Sequence, residues 1–399
     1  MKDARHSMAP DVSRADDSHP TRTPDALRTL HPEHAPHSLR DPQTVRLCLL
    51  GFGNVARGFC ELLARQEEVL AERHGVRVLV TAAGTRRGSL LAPQGMAPAA
   101  VLAAAPRGRP LPEPPRSADE LLRASGADAL VELTVMEHDY APVATAHIET
   151  AFALGMDVIT ANKGPIAWNW SRIRARATDA GRRIRFESTV MDGLPVFSLL
   201  EYTLVDCTLL GFDAVFNSTT NFIIDALARG ESFDAALRHA QDEGFAEADP
   251  GHDIDGWDAA CKAAALANVA MDARITPADV EKQSLRDVPL DDIRQAYATG
   301  RRLRLVTSVW RETPPGGGSG ADEAGAATAR GGAAGQVRAR VRAATLDIDH
   351  PLAPLGGESL GIVLHTDLMG DVVVAEIGAL VPQTAYGLYA DLLHLYGRR

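Results

Sequence analysis

Residues 45–64 read VRLCLLGFGNVARGFCELLA. An apolar strand, a glycine turn and an amphipathic run follow one another without a gap. Gly51 permits the tight turn, and Gly53 lets backbone come close to a pyrophosphate, which then faces the N–H groups at the helix start. Asn54 and Val55 open that helix. The third position of the fingerprint is Ala56, an allowed variant of the glycine. The triplet alone is a weak signal; the strand before it and the helix after it make it a constraint. A chain whose ordered part begins this way is committed to a parallel sheet with crossover helices.

The next segments agree. Val76–Thr85 reads as a second strand. Dinucleotide folds often carry an acid at this point to hold a ribose 2′-hydroxyl. Here the chain continues Arg86-Arg87-Gly88 with no acid. Two arginines suit a 2′-phosphate, so NADP is expected in preference to NAD. The plain alternative is a pair of solvated arginines. Residues 91–116 are rich in Ala, Pro, Gly and Arg and read as a loop; Ser117 and Glu120 then form a capping box. Ala127–Thr134 is a buried strand, 142–154 a helix, and 156–165 a strand that runs into the turn carrying Lys163. Strands alternating with helices mean βαβ units.

From about residue 170 the pattern changes to strands grouped apart from helices, with strands at 303–310 and 336–345 and a closing helix at 384–396. The expected fold class is α/β: a Rossmann dinucleotide-binding domain plus an α+β catalytic and dimerisation domain. The expected boundaries are a disordered tail over 1–43, the nucleotide domain over 44–168, and the catalytic domain over 169–375. A flexible Gly-rich insertion at 312–335 interrupts the latter, and residues 376–399 form a closing helix that packs back on the nucleotide domain. Tail and insertion both lack the apolar residues that fill a core.

Charge and composition exclude several functions. The net charge of −11 argues against nucleic acid and anionic membrane as partners. No apolar run is long enough to span a bilayer, and the N-terminus lacks the apolar core of a secretory signal. The four cysteines, Cys48, Cys60, Cys207 and Cys261, show no CxxC spacing and lie in apolar segments. They are expected to be reduced, in a cytoplasmic protein.

The chemistry concentrates in residues 244–262, GFAEADPGHDIDGWDAACK. Asp258 and Lys262 stand four apart and share one helix face. Glu247, Asp249, Asp253 and Asp255 precede them. One amine thus meets a crowd of carboxylates, which suits proton transfer at an alcohol and capture of an amino-acid substrate. The competing reading is an acidic loop that only complements a helix dipole; an EF-hand register fails, because Lys262 falls where the bidentate Glu belongs. Of 41 Lys plus Arg, only Lys2, Lys163, Lys262 and Lys282 are lysine. A lysine kept against that bias points to a task that needs a removable proton.

Taken together, LGFGNV (50–55), ELT (132–134), TANKGP (160–165), ESTVMDGLP (187–195), NSTTNFI (217–223), the 244–262 stretch, HPLAPLGG (350–357) and IGALVPQTAYGLYADLL (377–393) resemble the homoserine dehydrogenase family, over roughly residues 45–399. The resemblance implies interconversion of L-homoserine and L-aspartate 4-semialdehyde with NAD or NADP, in a homodimer joined through the sheet of the catalytic domain. It also implies the residue roles. Lys262 matches the catalytic lysine, with Asp258 and Asp253 near the reacting centre and Lys163 beside both cofactor and substrate. Glu247 matches the residue that binds the substrate's amino group, and Thr219 falls in a substrate-binding segment. Asn54, Val55 and Thr134 match cofactor contacts. Glu187, Val190 and Asp192 fall at a monovalent-cation site of the Na⁺ type. The chain departs from the family at Ser218, where glycine is usual, at Asp192 and at Leu380. An amino-acid-sensing domain after the closing helix is not expected. Two other readings compete: a related NADP-linked dehydrogenase of another amino-acid alcohol, and a non-catalytic nucleotide sensor.

Overall fold

The computed structural model describes residues 41–137, 139–242, 250–312, 335–378 and 380–398. Residues 1–40 of the expected tail, 313–334 of the expected insertion, and Glu247 with Asp249 lie outside the described residues.

The chain builds two sheets in sequence. The first uses β1 (Gln43–Leu50), β2 (Val76–Thr85), β3 (Gly88–Met96), β4 (Ala129–Glu132), β5 (Asp157–Thr160) and β6 (Ile184–Arg185), in the order β3-β2-β1-β4-β5-β6. Helices between its strands include α1 (Asn54–Arg65), α2 (Pro98–Ala104), α3 (Ala118–Ser125), α4 (Pro142–Ala153) and α5 (Lys163–Ala180). β2, β1, β4, β5 and β6 pair in parallel, and β3 closes one edge antiparallel to β2. β4 and β5 are buried along their whole length, as strands covered on both faces must be. The strand order reverses between β1 and β4, which places a crevice beyond the carboxyl ends of those two strands.

Two expectations change here. The stretch read as a loop over 91–116 contains the end of β3 and the helix α2. β3 exists because its backbone pairs with β2, a non-local contact that local periodicity does not reveal; α2 starts with Pro98 at its first position, where a missing N–H costs nothing. The first sheet also runs on to Arg185, past residue 168, because α5 is a crossover helix that returns the two-residue strand β6 to β5.

The second sheet holds β7 (Leu209–Val215), β8 (Glu281–Lys282), β9 (Arg302–Arg311), β10 (Val337–Leu346), β11 (Leu360–Thr366) and β12 (Gly370–Glu376), in the order β12-β11-β7-β9-β10-β8. All its pairings are antiparallel except β8 with β10. One face carries α6 (Ser218–Ala228), the short α7 (Gly251–Ile254), α8 (Trp257–Ala270) and α9 (Leu290–Ala298), over a core that includes Phe212, Ile223, Leu266, Leu305 and Ile362. α8 is almost all alanine on its buried side, so it packs closely against both α5 and the sheet.

The last helix, α10 (Val381–Tyr396), returns to the first layer. Ala385, Leu388, Tyr389, Leu392 and Leu395 share a core with Phe59, Leu62 and Leu63 of α1. Among the described residues no helix is long and apolar enough to cross a membrane.

Candidate active site

The glycine turn folds as its residues require. Gly51 has φ +92°, and a Cβ there would lie 2.2 Å from the carbonyl oxygen of Leu133, so only glycine passes. Gly53 is the N-cap of α1, makes no side-chain cap, and looks into open space. The N–H groups at the start of α1 are therefore left for an anionic ligand, and the residues present fit the pyrophosphate of a dinucleotide. Leu50, Glu132 and Thr160 end their strands in register. The residues that follow them, Gly51 to Val55, Thr134 and Lys163, consequently gather at one edge. Arg86 and Arg87 form the exposed tip between β2 and β3, where the Thr85 hydroxyl accepts the N–H groups of Arg87 and Gly88. β2 is the neighbour of β1, so this tip flanks the same edge.

Facing that edge is a compact set of charges. Lys163, the first residue of α5, donates to Asp258 Oδ1 at 3.1 Å. Lys262, one turn after Asp258 on α8, donates to Oδ2 of the same carboxylate, also at 3.1 Å. Lys262 Nζ also donates to the carbonyl of Phe216, at the end of β7, at 2.6 Å. Asn217 caps α6 through Thr220 N–H and uses its amide to donate to Asp253 at 2.9 Å and to Asp258 at 3.2 Å. Thr219 donates to the other oxygen of Asp253 at 3.1 Å. Asn268 ties α8 to α5 through the carbonyl of Ala167.

The charge states follow. Burial disfavours the Asp258 carboxylate, but Lys262 and Lys163 outweigh it and hold its pKa well below the ordinary range. Burial likewise disfavours the Lys163 ammonium, and Asp258 more than offsets this, so its pKa is raised. Asp253 moves the other way: burial and the neighbouring Asp258 raise its pKa against the bonds from Asn217 and Thr219.

The structure thus brings together Lys163, Asp253, Asp258, Lys262 and Thr219. Asp255, counted among the nearby carboxylates in the sequence, turns outward and accepts from Ser284 at 2.7 Å. Lys282 serves structure, donating to the carbonyls of Pro277 and Val280. Asn217, which lies in the NSTTNFI stretch, joins the site in addition to the residues expected from the sequence.

At the expected cation position the acidic side chains are hydrogen-bonded within the chain. Both carboxylate oxygens of Glu187 are taken, by the N–H groups of Phe197 and Ser198 and the Ser198 hydroxyl. Asp192 Oδ1 accepts from Thr384, and Val190 is buried in the apolar core. Among the described residues no group of three or more His, Cys, Asp or Glu could hold a metal ion. Glu187 is a capping carboxylate, raised in pKa by its burial.

Known proteins resemble this chain across both layers. The family profile described as homoserine dehydrogenase matches residues 195–393, and that of the homoserine dehydrogenase NAD-binding domain matches residues 51–187. An NAD(+)-dependent homoserine dehydrogenase of Pseudomonas canavaninivorans is 31% identical over 358 residues, covering 88% of this chain and 96% of that one. A homoserine dehydrogenase of Methanocaldococcus jannaschii is 26% identical, covering 88% and 98%. Among solved structures, the Thermoplasma acidophilum homoserine dehydrogenase superposes with a TM-score of 0.73 at 26% identity, covering 88% and 99%. A hyperthermophilic archaeal homoserine dehydrogenase in complex with NADPH gives 0.69 at 25% identity, covering 88% and 97%. With matched profiles over both layers and a relative this similar along nearly its full length, the chain belongs to the homoserine dehydrogenase family of NAD(P)-dependent oxidoreductases.

Proposed function

We propose that this enzyme interconverts L-homoserine and L-aspartate 4-semialdehyde, with Lys262 moving the hydroxyl proton and Asp258 holding Lys262 and Lys163 in place. The observation that carries the reading is the bridge Lys163–Asp258–Lys262 beside the glycine turn. A nicotinamide held at this edge would supply the hydride acceptor or donor, and the chain's own residues bind, orient and move the proton. With both lysines protonated the bridge carries one net positive charge, so a proton can leave without stranding a charge. Lys163, held as the ammonium by Asp258, supplies the standing positive charge next to the reacting oxygen. The proton-carrying task then falls to Lys262, which takes the hydroxyl proton during oxidation and gives it back to the carbonyl oxygen during reduction. Asp253, fixed by Asn217 and Thr219, supports the substrate side of the site. Glu247 is assigned the substrate's ammonium.

NADP is the proposed cofactor in preference to NAD. Support comes from Arg86 and Arg87 at the tip after β2, which have no hydrogen-bonded or ion-paired guanidinium among the described residues, and from the lack of an acid there. Homodimerisation through the second sheet is also proposed, supported by Trp310 on β9 and Val373 on β12, which are 37% and 47% exposed. The direct test is oxidation of NADPH in the presence of L-aspartate 4-semialdehyde, followed by the absorbance of the reduced nicotinamide. Turnover on this aldehyde well above that on close analogues is expected; faster turnover of an analogue overturns the substrate assignment.

A further inference from the structure

Glu132 is the last residue of β4, fully buried at the edge where cofactor and lysines meet. One of its oxygens is heavily used. Oε1 accepts the N–H of Thr134 at 3.3 Å and the Thr134 hydroxyl, and lies 3.4 Å from Nδ1 of His147 on α4. Oε2 is buried with no hydrogen-bond partner among the described residues. Burying a carboxylate with an oxygen unsatisfied is costly, and an apolar residue at the end of this strand would avoid the cost. The carboxylate does something an apolar residue cannot: it commits the Thr134 hydroxyl proton, so Thr134 Oγ1 is left with lone pairs only.

The same residues continue toward the lysines. Asn162 donates to the Thr134 carbonyl at 3.2 Å and reaches Thr134 Oγ1 at 3.5 Å, which leaves one lone-pair position of that hydroxyl open. Its side-chain oxygen accepts Gly164 N–H at 3.1 Å, capping α5, whose first residue is Lys163. Thr160 locks the turn by donating to the Glu132 carbonyl at 3.0 Å and accepting Asn162 N–H at 2.9 Å.

We infer that Glu132 is a positioning residue: it turns the Thr134 hydroxyl into a fixed acceptor for a hydroxyl or amide donor of the bound dinucleotide. Through Asn162, it also ties that seat to the helix start that carries Lys163. The inference rests on the reading of Thr134 as a cofactor contact and adds what sets its polarity.

The test is a double-mutant cycle on the full chain, reading the dissociation constant for NADPH by fluorescence titration, with the melting temperature measured alongside. Thr134→Val and Glu132→Gln are each expected to raise the constant several-fold, up to about ten-fold, and the double variant no further than the weaker single. Thr134→Ser, which keeps the hydroxyl, should bind as the parent does. If Glu132→Gln does not fold, Glu132→Asp, which keeps the charge but withdraws it from Thr134, takes its place in the cycle. An unchanged constant in Thr134→Val overturns the cofactor-contact reading and the inference with it. If Thr134→Val weakens binding but the Glu132 variant leaves it unchanged, or if the two effects multiply, the contact stands and the positioning role is overturned.

Discussion

Lys163 and Asp258 sit 3.1 Å apart, Nζ to Oδ1, and join the two layers of the molecule. Lys163 begins a crossover helix of the first sheet, and Asp258 lies in the first turn of a helix on the second. A charge contact across that seam exists only when the layers are correctly docked, which makes it a structural tie as well as part of the proposed proton-transfer site.

Asp258→Asn removes the carboxylate that two ammonium groups share. Breaking a largely buried pair in this way costs about 3–5 kcal/mol. The native Asp258 has a depressed pKa, so its contribution is present above the unfolded value and is lost as pH falls through the folded one. The stability deficit relative to the parent should therefore be full at neutral pH and shrink as pH falls below the ordinary aspartate range, where the parent loses the same contribution; urea melts at several acidic and neutral pH values check it. A deficit independent of pH contradicts the shared-carboxylate account.

Lys262→Arg keeps the positive charge and the reach to Asp258 but cannot release its proton at working pH. Turnover should fall roughly 10²-fold or more, the scale of general acid–base catalysis. Binding of NADPH should be nearly unchanged. Near-parent turnover in this variant would remove Lys262 from the proton-transfer role.

Glu376, at the end of β12, has its pKa pushed up to about 7 by burial and by nearby Asp192. Between its ordinary value near 4.5 and that folded value, the unfolded chain ionises while the native one keeps the proton. The associated stability is thus fully present below the ordinary value and lost as pH rises through the folded one. Glu376→Gln should leave stability at pH 5 almost unchanged and raise it at pH 8. The gain should be about 1 kcal/mol once solvent screening of a partly exposed group is allowed for. Thermal melts at the two pH values decide the matter, and a gain at pH 5 alone reverses the assignment.

Arg86→Ala or Arg87→Ala should raise the Michaelis constant for NADP roughly ten- to a hundred-fold, with little change for NAD, if that guanidinium holds a 2′-phosphate. The two sit at adjacent positions on a hairpin tip, so one of them is expected to carry most of the effect. If neither substitution separates the two cofactors, the arginines are solvated surface.

Replacement of residues 313–334 by a short turn should leave folding and turnover intact. Arg311 and Val337 are already paired across β9 and β10, and Glu312 N–H bonds to the Gln336 carbonyl at 2.9 Å, so the strand ends meet without that segment. Loss of folded protein after the replacement would assign the segment a structural role.

Local units were legible in the chain before any fold was known. The Gly51 turn, the Ser117 cap, the buried runs of β4 and β5 and the Asp258–Lys262 spacing follow from periods of two and 3.6 residues, from cap chemistry and from the conformational freedom of glycine, all set within a few neighbours. The scarcity of lysine pointed to Lys163 and Lys262 for the same reason, since it is a property of composition. Packing alone decided the rest. β3 took its place because β2 offered an unpaired edge, not because its own residues alternate. Asp255 faces Ser284 and solvent while Asp253 faces Thr219, although the two stand two residues apart, because the short helix α7 turns between them. Asn217 became a bridge between Asp253 and Asp258, and Lys163 reached Asp258, because α5, α6 and α8 converge where the two sheets meet. Which side chains face each other across such a seam depends on how close helices approach and at what angle, and no short-range pattern in the chain encodes that.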